Sequence, residues 1–184
     1  MGEQTNDIAQ ELALLHTLKG ADFARQVERR ARRNEFYPLE GEQGIYVCGG
    51  EHGSDYANLL SAARKAVLHG YSVYILPNPK GIRTADFILC HRNIYKLYDL
   101  KTIQGKSSAG NRLLDSIGQT NRVLINIKTS YDAQRLALDI KHFFEENLNA
   151  VEVFLFKGKK TIVVYRADVK KPRYLQTFRK RYEK

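Results

Sequence analysis

From residue 45 onward, short apolar runs alternate with amphipathic stretches, the pattern of strands and helices in turn. Ile45-Tyr46-Val47-Cys48 reads as a short strand closed by Gly49-Gly50. Ser54 can cap a helix to about His69, with Gly70 as its stop and Leu59, Ala63, Ala66 and Val67 on one face. Tyr71 to Leu76 is a strand ended by Pro77 and Pro79. Thr84–Cys90 and Ile94–Ile103 are two more strands, with Arg92-Asn93 as the hairpin turn between them. A polar loop, Gln104 to Ser108, leads into a short helix from about Ala109 to Gly118. Arg122–Ile127 is the next strand, and Ser130 or Asp132 caps an amphipathic helix to about Asn147. Val151–Phe156 and Thr161–Tyr165 form a hairpin across Lys157-Gly158-Lys159-Lys160. A last helix opens at Pro172, with Tyr174, Phe178 and Tyr182 at every fourth position among basic residues.

Upstream, residues 7–33 carry two helical patterns. The first has Ile8, Leu12 and Leu15 at helical spacing, Asp7 as cap and Gly20 as stop; the second runs from Phe23 to Arg33. Pro38 and the Gly41/Gly44 pair mark a boundary. The order predicts an α/β (α+β) fold, a mixed sheet covered by helices. It divides into an N-terminal helical extension (1–44), a core (45–167) and a basic tail (168–184).

Composition narrows the function. The 184 residues are 43% hydrophobic and 27% charged, which excludes a mostly disordered chain. No apolar run approaches the roughly 20 residues of a membrane helix. Met1 to Asp7 lacks the basic start and apolar block of a secretory signal, and Met1-Gly2 is only a weak myristoylation signal. Lys and Arg outnumber Asp and Glu by 30 to 20, a net charge of +10 that favours a polyanionic partner. Cys48 and Cys90 make no disulfide framework and read as core thiols, which points to a reducing, cytoplasmic site of action.

The candidate chemistry lies on the hairpin. Strand side chains alternate, so Asp99 and Lys101 share a face. Antiparallel pairing about Arg92-Asn93 sets opposite one another residues whose numbers total about 185, and Asp86 and Asp99 are such a pair. Two carboxylates that close repel unless a cation sits between them, and hard oxygens suit Mg²⁺ or Mn²⁺. Such an ion can polarise a phosphoryl oxygen and acidify a water, and the Lys101 ammonium can orient that water or stabilise the developing charge. These are the parts of a phosphodiester hydrolase. A surface ion pair is the ordinary alternative for an Asp-x-Lys tripeptide. On the hydrolase reading, Lys101→Ala removes turnover and leaves folding nearly intact.

The order of elements, with Asp86 and Asp99-Leu100-Lys101, resembles the core of the PD-(D/E)XK nuclease superfamily, αβββαβ, over about residues 46–128. Gly70 to Pro77, Ala85-Asp86-Phe87 and Tyr98-Asp99-Leu100-Lys101-Thr102 carry a narrower resemblance to the nuclease toxin domains of contact-dependent growth inhibition proteins, many of which cleave tRNA. The resemblance implies that Asp86 and Asp99 bind metal and that Lys101 is the motif lysine; Ala85 stands where the name-giving motif has Pro. It further implies an acidic ligand from the first core helix. Asp55 or Glu51 would supply it, although Asp55 can equally serve the helix dipole. Gln119 matches a site-facing Gln, or is a plain helix-end residue. It also raises the prospect of an immunity protein as partner.

Nucleic-acid contacts are expected from three places. Lys106, Ser107 and Ser108 can hold a phosphate at a helix start, or form an ordinary capped loop. Arg25, Arg29, Arg30, Arg32 and Arg33 can form a phosphate-contacting helix face, or a solvated one. The tail offers Lys171, Arg179 and Arg181, and its aromatics can stack on bases or pack in a core. Three readings compete: a nuclease acting on RNA, tRNA in particular, with a toxin-like role; a DNA endonuclease of restriction or repair type; and a non-catalytic nucleic-acid-binding module.

Overall fold

The computed structural model describes residues 20–48, 53–76, 85–105 and 108–184, with side chains from residue 25 onward. The chain forms two compact units, residues 1–98 and 99–184. Both are mixed α/β.

In the first unit, helix α1 (Gly20–Arg32) precedes the two-residue strand β1 (Tyr37–Pro38) and strand β2 (Ile45–Val47). Helix α2 (Tyr56–Leu68) carries the chain over to β3 (Ser72–Ile75), which lies parallel to β2. Crossing by a helix is what a parallel pair requires. Strands β4 (Phe87–His91) and β5 (Ile94–Ile103) form an antiparallel hairpin, and β3 pairs antiparallel with β4. Helix α1 buries Val27 and Ala31, one turn apart, against Phe36, Cys48, Tyr74 and Ile88. The hairpin turn is Arg92-Asn93, both at positive φ (49° and 63°), the combination of a type I′ turn.

The second unit starts within β5. Its residues Asp99–Ile103 pair parallel with β6 (Arg122–Ile127), reached through the short helix α3 (Ala109–Leu114). Helix α4 (Ala133–Glu146) leads on to β7 (Glu152–Lys157), parallel to β6. Strand β8 (Lys160–Tyr165) returns antiparallel to β7. Two helices end the chain, α5 (Arg166–Val169) and α6 (Tyr174–Glu183). The core joins Val123, Ile125 and Leu155 of the strands to Leu136, Ile140 and Phe143 of α4.

The structure corrects several boundaries. Gly20 opens a helix and does not stop one; the pattern around Ile8, Leu12 and Leu15 lies outside the described residues. The cap position of α2 is Asp55, not Ser54, and no side chain caps it. Asp86 stands one residue before its strand, and Thr84 lies outside the described residues, as do Gly49-Gly50, Pro77 and Pro79. Helix α3 ends at Leu114, four residues short of Gly118. The last hairpin turns on Gly158-Lys159 alone, because Lys157 and Lys160 are themselves paired. Pro172 does not open the last helix, which starts at Tyr174, and the four-residue α5 before it was not anticipated.

The tail aromatics are core, not a stacking platform. Tyr174, Phe178 and Tyr182 are all buried, and the Tyr174 hydroxyl donates to the carbonyl of Ala137 in α4 at 3.1 Å. The period of four that suggested stacking is the stripe that an amphipathic helix lays on its neighbour.

Candidate active site

Asp99 and Lys101 lie on one face of β5, as alternation requires. The Lys101 ammonium is 2.9 Å from one carboxylate oxygen of Asp99 and donates to the other at 3.1 Å. The pair is not a surface ion pair. The Asp99 side chain is 1% exposed and that of Lys101 is 14% exposed. Burial follows from register: Asp99 pairs with Val123 and Lys101 with Ile125, so both charged side chains stand on the strand face that Val123 and Ile125 present to the core. Two buried charges in an otherwise apolar face cost several kcal/mol of desolvation, repaid only where the geometry is close.

In the first unit, Asp86 is fixed by its backbone. Its amide donates to the Tyr98 carbonyl and its carbonyl accepts from the Leu76 amide, both at 2.9 Å. The hairpin register runs from His91–Ile94 to Phe87–Tyr98, as the sequence predicted. Asp86 precedes Phe87 in the chain, and Asp99 follows Tyr98.

The other candidates are dispersed. Asp55 is an exposed cap residue. Glu51, Lys106 and Ser107 lie outside the described residues. Ser108 caps α3, its hydroxyl accepting from the Asn111 amide at 3.4 Å. Gln119 follows α3, and its side-chain amide donates to the Asp115 carbonyl at 3.0 Å. Among the described residues, no three His, Cys, Asp or Glu side chains form a group able to hold a metal ion. Asp86 and Asp99 each offer the hard carboxylate oxygens that suit a dication.

The basic residues fall into two sets. Lys171 pairs with Asp168 at 2.6 Å, Arg179 with Glu183 at 3.3 Å, and Arg181 donates to the Val163 carbonyl at 3.1 Å. On α1, Arg30 pairs with Glu35 at 2.9 Å, while Arg32 pairs with Glu28 and lies 4.3 Å from the centre of the Tyr95 ring. Arg25 and Arg29 in α1, and Arg33 just past its end, recur every fourth residue, all exposed, and Arg33 lies 4.0 Å from Glu35. Like charges at that spacing destabilise a helix slightly.

One pair of residues near the loop after β5 escaped the sequence reading. The Tyr131 hydroxyl accepts from the Ala109 amide at 3.1 Å and donates to Asp139 at 2.9 Å. It thereby supplies a partner for one of the orphan amides at the start of α3. The two residues are eight positions apart on either side of a helix cap, and no short-range pattern announces them.

No family model matches the chain, and neither a curated protein nor a solved structure matches it.

Proposed function

We propose that the protein is a metal-dependent nuclease of the PD-(D/E)XK type, acting on RNA, tRNA in particular, in a toxin-like role at a cytoplasmic site. The observation that carries this reading is the buried Asp99–Lys101 pair on β5. A lysine and an aspartate held together inside a basic domain are costly as structure and useful as chemistry. The hairpin register supports Asp86 as the second carboxylate, since it and Asp99 each follow the last paired residues. Asp86 and Asp99 would hold Mg²⁺ or Mn²⁺, which when bound acidifies water and draws charge from a phosphoryl oxygen. Lys101 then orients the attacking water or steadies the phosphate as charge builds. The exposed Arg25, Arg29 and Arg33 face supports a polyanionic substrate.

The test is incubation of the purified protein with tRNA and with duplex DNA, in Mg²⁺, in Mn²⁺ and in a chelator. Metal-dependent cleavage of tRNA is expected. Cleavage of DNA alone would make it a DNA endonuclease. Binding of either without cleavage under any metal would leave a nucleic-acid-binding module and reject the enzyme.

A further inference from the structure

Helices α4, α5 and α6 leave an apolar cleft of about 680 Å³ on the second unit. Its floor is Phe144, Val169 and Tyr174, and Leu138 and Leu148 stand at its edge, 46% and 82% exposed. A second cleft of about 370 Å³ shares Lys171, Pro172 and Tyr174 with it. The linings of the two include six cations (Lys141, Arg166, Lys170, Lys171, Arg173 and Arg181) against two carboxylates, Glu145 and Asp168. Both carboxylates are neutralised, Asp168 by Lys171 at 2.6 Å and Glu145 by Lys141 at 4.0 Å. Arg166 is occupied by the carbonyls of Ala150, Phe144 and Asn147. The rim therefore keeps a surplus of positive charge around an apolar floor.

We infer that this cleft is a docking site for an acidic segment of a partner protein that inserts aliphatic side chains. Charge complementarity selects the occupant. A second copy of the chain brings another +10 and is repelled. RNA satisfies the rim but not the floor, because the aromatic rings there, Phe144 and Tyr174, are buried and offer no stacking face. An acidic amphipathic helix answers both the rim and the floor. Removing an exposed leucine such as Leu148 from water is also the step that such a partner would gain most from. The site is independent of Asp99 and Lys101, and the inference holds whether or not the protein cuts nucleic acid.

The experiment titrates the full chain with a labelled helical peptide of about 18 residues, Glu and Ala with leucines three and four apart. Two control peptides replace Glu by Gln, or Leu by Ala. Binding is read by fluorescence anisotropy and located by amide NMR shifts. Saturable binding that perturbs Leu138, Leu148 and Val169, weakened roughly tenfold by Leu148→Glu or Leu138→Glu and by either control peptide, is expected. Both leucines are exposed, so the variants should melt like the wild type, and their tRNA cleavage should be unchanged. The inference is overturned by no saturable binding or by equal binding of the Gln peptide. It is also overturned if the leucine variants lose affinity for tRNA, for phosphatidylserine vesicles or for another copy in sedimentation.

Discussion

The Lys101 ammonium sits 2.9 Å from a carboxylate that is 1% exposed, while it is itself 14% exposed. The two partners are therefore unequal. Removing Lys101 takes the nearest cation away from a buried anion. Removing Asp99 leaves a long flexible cation that can reach water. The sequence alone predicts that Lys101→Ala spares the fold, and the burial of Asp99 revises that. Lys101→Ala should lower stability by about 3–5 kcal/mol, the cost of breaking a buried pair from one side. Asp99→Asn should cost less, and Asp99→Asn with Lys101→Met should recover most of the loss. Urea denaturation of the four proteins measures this. Equal losses in both single variants would show that the pair is solvated.

Activity gives the second test of the same pair. Single-turnover cleavage of tRNA by Lys101→Met, a variant that keeps the stem and loses the charge, should fall on the order of 10²–10³. Asp99→Asn should fail differently, by also weakening the response to added metal. Wild-type rates in Lys101→Met would remove Lys101 from the mechanism.

Legibility in the sequence followed the range of the signal. The hairpin was readable because Arg92-Asn93 is a local turn and alternation then propagates register outward as far as Phe87–Tyr98. Asp99 and Lys101 came with it. Their burial did not, since it depends on β6 and α4 folding over the same face. Gly20 reads as a stop in the sequence and opens a helix in the fold, because glycine serves either end of a helix, as cap or as stop. Helix α5 leaves little trace in the sequence because it is a single turn; its cue is Asp168, which accepts from the Tyr165 amide at 3.0 Å. Tyr131 and Asp139 could not be seen at all, for the hydroxyl that joins them takes its other hydrogen bond from the Ala109 amide, 22 residues before Tyr131.

That bridge makes a prediction of sign. A Cβ added to Gly110 would lie 2.9 Å from a carboxylate oxygen of Asp139. Alanine for glycine inside a helix is otherwise worth about 1 kcal/mol. Gly110→Ala should thus destabilise the wild type but stabilise an Asp139→Ala background. Tyr131→Phe should cost about 1–3 kcal/mol, because it leaves both the amide and the carboxylate without that hydroxyl. A double-mutant cycle in urea tests the reversal; the same sign in both backgrounds would refute the clash.

The two thiols should separate chemically. Cys48 is buried, and desolvation pushes its pKa up to about 11. Its folded pKa is raised, so its contribution to stability is present below the unfolded thiol pKa and is lost as pH rises toward 11. At neutral pH the thiolate, the reactive form, is suppressed. Cys90 is only partly buried. Iodoacetamide at pH 8 should therefore modify Cys90 first and Cys48 at the rate of unfolding. Cys48→Val should also flatten the decline in stability between pH 9 and 11. Equal labelling rates in the native protein would mean that Cys48 is open to solvent.

The last prediction concerns which cations meet the substrate. By charge alone, α1 and the tail are equivalent. By structure they are not, since Arg179 is paired with Glu183 at 3.3 Å and Arg181 donates to Val163, while Arg29 stands exposed beside Arg25 and Arg33, of which Arg33 reaches Glu35 only at 4.0 Å. An arginine already satisfied must give up its partner to meet a phosphate, and gains less. Stacking arginines four apart is a small cost to α1 that a polyanion would relieve. Arg29→Ala with Arg33→Ala should weaken tRNA binding and reduce the slope of log affinity against log salt by about 0.7 for each phosphate no longer neutralised, the value for single strands. Arg179→Ala with Arg181→Ala should leave the slope nearly unchanged. The same α1 variants should stabilise the free protein slightly, because the repulsion is gone. Filter binding across a salt series, beside thermal melts of the free proteins, measures both. A slope that falls with the tail pair and not with the α1 pair would move the substrate path to the other unit.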